Sequence, residues 1–121
     1  MGFRTNLITK NAAALMEKGE RIERVAIARS ATDGGSGNYA IAATPKNVYV
    51  FELAGLGFGK VVGRVAKVPM KKAAVEQRAS FLTVGRRGAA KPEHVFTALP
   101  GGGPKRLAAY VAERAAGESG R

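Results

Sequence analysis

The sequence predicts an α+β domain that is mainly β. Seven short antiparallel strands form a partly open barrel, one C-terminal helix caps it, and a short helix precedes it. Three observations lead there. Between residues 21 and 98, apolar residues recur with a period of two, in runs broken by Gly, Pro and charged turns. After Gly101-Gly102-Gly103 the period lengthens to that of a helix. The chain has 121 residues, 45% of them hydrophobic, enough for one domain with its own core.

Each element has a local reason. Residues 6–18 read as a short amphipathic helix, capped by Thr5 or Asn6, with Ile8, Ala12, Leu15 and Met16 on one face and Gly19 as its stop. Residues 21–30 are rich in β-branched side chains and suit a first strand. Thr32 to Gly37 is a turn by composition. Residues 38–44 alternate, with Tyr39, Ile41 and Ala43 on one face. Pro45-Lys46-Asn47 is a turn, and residues 48–54 (VYVFELA) make the strongest strand of the chain. Gly55 to Gly59 is a hairpin loop with Leu56 and Phe58 as its apolar tip. Residues 60–68 form a fourth strand ended by Pro69, and 73–78, 80–86 and 93–98 supply three more. Pro104 suits the first turn of a helix whose buried face is Leu107, Tyr110, Val111 and Ala115, with a stop at Gly117. The expected division is an N-terminal helix in 1–19, packed on or extending the domain, the domain proper in 20–117, and a frayed tail in 118–121. Seven strands in this order cannot stay flat without exposing apolar faces, and curling buries them.

Three features resemble a bacterial pleckstrin-homology-like domain: a short N-terminal helix running into EKGERIERV at 17–25, with Gly19-Glu20 before the first strand; AIAATPKNVYVFE at 40–52, similar to the strand–turn–strand core of these domains; and the seven-strand-then-helix order. Together they span about residues 17–116. The basic residue usual in the turn matches only loosely, with Lys46 one place before Asn47. The resemblance implies the capped barrel. It leaves the ligand open, because such domains bind phosphoinositides, peptides or proteins. Lipid-binding members carry a basic motif between strands one and two. Here that loop, residues 31–38, holds Asp33 and no Lys or Arg, which speaks against phosphoinositide at that site.

Composition excludes much chemistry. The chain has no Cys and a single His, His94, so thiolate catalysis, disulfides, Cys-based zinc sites and His-pair metal sites are ruled out. No metal and no cofactor are expected. Arg4 and Lys10 do not fit a signal peptide, and no apolar run is long enough to span a membrane. The expected location is cytoplasmic, with a peripheral place at the membrane. Gly55 to Lys60 imitates a phosphate loop, but Ala54 stands where the first Gly belongs and Val61 where Ser or Thr belongs. Glu17, Glu20 and Glu23 are better read as charge partners of Lys18, Arg21 and Arg24 than as a catalytic pair, because Gly19 breaks the helix between them. No catalytic constellation remains, and the protein is expected not to be an enzyme.

What remains is charge. The net charge is +11, and residues 60–91 hold eight units of it: nine basic side chains against Glu76. Such a segment attracts polyanions. Lys60, Arg64, Lys67, Lys71, Lys72, Arg86 and Arg87 are the candidate anion-binding residues, for acidic phospholipid headgroups or an acidic protein. Strand alternation sets Arg64 opposite Lys67, which would split the cluster over two faces. Phe81 is the only aromatic in the segment, so binding of nucleic acid, the second reading, would be carried by phosphates rather than by base stacking. Self-assembly through open strand edges or the N-terminal helix is the third.

Overall fold

A computed structural model describes residues 12–30, 38–54, 60–98 and 103–119. Among the described residues there are seven strands: β1 (Arg24–Ser30), β2 (Asn38–Ala43), β3 (Asn47–Ala54), β4 (Lys60–Pro69), β5 (Ala73–Arg78), β6 (Phe81–Arg86) and β7 (His94–Ala98). A helix, α1 (Gly103–Ser119), follows them. All pairs are antiparallel, in the order β4-β3-β2-β1-β7-β6-β5, so the sheet curls without closing and β4 and β5 are its two edges.

Two apolar layers follow from the pleat. Ala26, Ala28, Ile41, Ala43, Val48, Val50, Val68, Val75, Leu82, Val84 and Phe96 point into the curl, where Leu107 and Val111 of α1 plug it. Tyr110 packs against this cluster, as the helical spacing predicts. The guanidinium groups of Arg24 and Arg114 lie 5.5 and 5.4 Å from its ring centroid, and the contact with Arg24 fastens α1 to β1. The other face of β1–β3 is also apolar. Ala40, Ala42, Tyr49, Phe51 and Leu53 are buried there beneath Ala12, Leu15, Met16 and Ile22. This explains the unbroken apolar run of β3: both of its faces are covered, so alternation disappears.

The N-terminal helix expected over residues 6–18 falls largely outside the described residues; within them Ala12 is helical and the 3-10 turn Ala13–Leu15 follows. The chain then leaves the helical path, because the Glu17 amide donates to the Tyr49 hydroxyl at 3.1 Å and the Glu17 carbonyl accepts from the Glu20 amide at 3.2 Å. Gly19, at φ +88°, makes the corner into β1. Two other expectations need correction, the stop of α1 and the placing of Arg64 opposite Lys67. Helix α1 continues past Gly117 to Ser119 instead of stopping there. Arg64 and Lys67 do not oppose one another. The β3–β4 register pairs Phe51 with Arg64 and Tyr49 with Lys67, with a shift between. The extra residue is Val65, and this bulge returns both cations to the outer face. The predicted tip, Leu56 and Phe58, lies outside the described residues.

Candidate anion-binding corner

The β4–β5 link is built to present charge. Pro69 ends the ladder of β4, and the 3-10 turn Met70–Lys72 follows. Met70 is buried in the core, and the Ala73 amide closes the turn onto the Met70 carbonyl. With the turn anchored by that side chain, Lys71 and Lys72 are directed to solvent.

Two long-range backbone hydrogen bonds lace neighbouring turns to it. The Met70 amide donates to the Lys46 carbonyl and the Arg87 amide to the Lys72 carbonyl, both at 2.8 Å. The β2–β3 turn, the β4–β5 link and the start of the β6–β7 loop therefore meet at one end of the strands, bringing Lys46, Lys71, Lys72, Arg86 and Arg87 together. Arg86 ion-pairs with Glu93 at 3.6 Å. The Arg87 guanidinium donates to the Ala115 carbonyl at 3.3 Å, near the negative end of the α1 dipole. Among the described residues, no carboxylate pairs with Lys46, Lys71 or Lys72. Gly85 completes the corner. A Cβ there would lie 3.0 Å from Pro92 Cα and 3.1 Å from the Glu93 amide nitrogen, so the β6–β7 loop folds directly onto β6.

The other candidates lie elsewhere. Lys67 ion-pairs with Glu17, and Arg64 donates to the Leu15 carbonyl at 3.3 Å, so both hold the N-terminal segment on the outer face. Lys60 opens β4 at the opposite end of that strand. Sequence reasoning missed Lys46, which lies outside the 60–91 segment. The signal was available: in an antiparallel sheet, alternate turns fall at the same end, so the turn at 45–46 and the link at 70–72 are neighbours.

The three glutamates have separate roles. Glu23 pairs with Arg21 at 3.0 Å, as expected, and Glu17 pairs with Lys67. Glu20 instead clasps the β2–β3 turn. Its carboxylate accepts from the Thr44 hydroxyl, the Tyr49 hydroxyl and, at 3.0 Å, the Asn47 amide. Thr44 Oγ1 also accepts from the Asn47 backbone amide at 3.0 Å, which fixes the turn. Burial alone would raise the Glu20 pKa. The hydrogen bonds from Thr44, Tyr49 and Asn47, with the Glu17 backbone, outweigh it and hold the carboxyl below its usual range. Burial pushes the Tyr49 hydroxyl up to about 12, against a hydrogen bond from the Glu17 backbone and with support from the nearby Glu20 and Glu17 carboxylates. The clasp joins the Gly19-Glu20 and Thr44-to-Tyr49 stretches, the two local features on which the family resemblance rested.

The remaining chemistry is sparse. His94 stacks on Phe96 with ring centroids 6.2 Å apart. Among the described residues, no three His, Cys, Asp or Glu side chains gather as metal ligands, and no helix is long and apolar enough to cross a membrane. Phe81 lies exposed on the outer face of β6, away from the laced turns. Neither a scan against protein-family models nor a search of curated proteins finds a match to the chain.

Proposed function

We propose that the chain is a non-enzymatic, pleckstrin-homology-like binding module that engages an acidic phospholipid surface, peripherally, through Lys46, Lys71, Lys72, Arg86 and Arg87. The observation that carries this reading is the lacing of three turns by backbone hydrogen bonds into one basic corner. Holding the cations on anchored turns lowers the entropy lost on binding. The seven-strand, one-helix order supports the likeness to that fold. Each basic residue near an anionic membrane contributes about 1 kcal/mol, so four or five suffice for salt-sensitive attachment. The only aromatic of residues 60–91, Phe81, sits at the opposite end of β6 from Arg86, which favours a charged surface over stacked bases.

The test is co-sedimentation with vesicles of phosphatidylcholine, with and without phosphatidylserine, and in parallel a short DNA duplex, over a salt series. Binding only to the phosphatidylserine vesicles, weakening with salt, is expected. Tight duplex binding with a steep salt slope would replace this reading with nucleic-acid binding. A concentration-dependent mass with no binding to either would replace it with self-assembly.

A further inference from the structure

A hollow of about 300 Å³ opens beside the basic corner, between the bend at Gly19 and the β2–β3 turn. Gly19, Glu20 and Arg21 line one side of it, Pro45 and Lys46 the other. The Glu20 clasp ties the two sides together, since its carboxylate accepts from Thr44, Asn47 and Tyr49. The turn is held a second time by its own backbone. The Lys46 amide donates to Thr44 Oγ1 at 3.2 Å, and the Lys46 carbonyl accepts from the Met70 amide at 2.8 Å. Pro45 adds a locked φ, and Gly19, at φ +88°, puts no side chain into the mouth. The hollow is therefore formed before any ligand arrives, which lowers the cost of binding. It lies at the opposite end of β2 from the β1–β2 connection, so it is not the site where pleckstrin-homology-like lipid binders carry their basic motif.

Its charges are mixed. Lys46 has no carboxylate partner among the described residues. Arg21 is 81% exposed and turns only Nε to Glu23, at 3.0 Å, which leaves its terminal guanidinium nitrogens to other acceptors. Glu20 adds one negative charge, and the hydrogen bonds that hold its carboxyl below the usual range keep that charge at neutral pH. Two cations and one carboxylate complement a group with two anions and one ammonium. The phosphoserine headgroup is such a group, with a phosphodiester, a carboxylate and an ammonium in a small volume. Phosphatidylglycerol has the same net charge of one but carries only the phosphodiester. We infer that the hollow between Gly19 and Lys46 takes the headgroup of phosphatidylserine, with its two anionic groups at Lys46 and Arg21 and its ammonium at Glu20. Complementary charge then sets a choice between lipids that net charge alone does not distinguish. The inference rests on the acidic-phospholipid reading and adds this choice to it.

The test compares phosphatidylcholine vesicles holding equal mole fractions of phosphatidylserine or phosphatidylglycerol. The added contacts are partly exposed ion pairs, so a preference of about fivefold or more for phosphatidylserine is expected. Arg21→Gln, at an exposed position, should bring the ratio towards one. Glu20→Gln keeps an acceptor oxygen for the clasp and raises the net charge, so it should strengthen binding to phosphatidylglycerol while abolishing the preference. In parallel, glycerophosphoserine and glycerophosphoglycerol are titrated into the 15N-labelled full chain. Amide shifts at Gly19, Glu20, Arg21 and Lys46 are expected with the first alone. Equal binding of the two vesicles, a preference that survives both substitutions, or the same shifts with both soluble headgroups would each overturn the headgroup site and leave the anionic-surface reading standing. Absence of binding to either vesicle would overturn both.

Discussion

Replacing Glu20 with Ala removes the acceptor shared by Thr44, Asn47 and Tyr49. Thr44 keeps the Asn47 carbonyl at 3.3 Å, so its hydroxyl is not orphaned. The Tyr49 hydroxyl still accepts from the Glu17 amide at 3.1 Å, but its own O–H is left without an acceptor, and the Asn47 amide keeps only a 3.5 Å contact with that hydroxyl. Both residues are almost fully buried. A buried polar group left without a partner costs about 1–3 kcal/mol, and water entering beside Gly19 recovers part of that. The expected loss is therefore about 3 kcal/mol, read from urea unfolding followed by circular dichroism. A cycle with Tyr49→Phe should show coupling of about 1 kcal/mol or more, because the two side chains share one hydrogen bond. The pH dependence gives a second check. A carboxyl whose folded pKa is lowered stabilises above its ordinary pKa, about 4.3, and loses that contribution as pH falls through the folded value. The gap between wild type and Glu20→Ala should narrow over that acid range. A loss below about 1 kcal/mol, together with a gap that does not change with pH, would refute the clasp.

Three further substitutions test the framework. Tyr110→Phe should be neutral or stabilising by up to about 1 kcal/mol in urea unfolding, because the hydroxyl is buried without a partner among the described residues and the ring keeps its two cations. Ala79→Gly should raise the melting temperature by a few degrees. Ala79 has φ +50° at the first central position of the two-residue β5–β6 turn, where Gly escapes the left-handed penalty of about 1–2 kcal/mol. Gly85→Ala should destabilise by about 1–3 kcal/mol, since the new methyl meets Pro92 and Glu93 backbone rather than a flexible side chain, and amide shifts should spread through residues 87–93.

The strands were legible because their alternation and their turns are both local. β5 matches its sequence boundaries, and the buried face of α1 follows directly from its spacing. Less local features were not legible. The bulge at Val65 adds one β-branched residue among others, so nothing in the sequence marks where the alternation slips. The Glu20 clasp joins residues 24 to 29 positions apart, and only the sheet register brings them together. The basic corner was half visible. Lys71, Lys72, Arg86 and Arg87 were candidates, but a count along the chain also gathered Arg64 and Lys67, which bind the N-terminal segment, and left out Lys46.

The central claim is that position, not total charge, governs anion binding. Lys71→Glu/Lys72→Glu and Arg29→Glu/Arg78→Glu change the net charge equally. Arg29 and Arg78 are exposed and lie at the far ends of β1 and β5, about 20 Å along the strand from Lys72 in the second case. Co-sedimentation of both variants with phosphatidylserine-containing vesicles tests the claim most directly. The account predicts that the first loses binding about a hundredfold or more, from two lost attractions and two new repulsions of about 1 kcal/mol each, while the second falls by less than about tenfold. Equal losses in the two variants would contradict it.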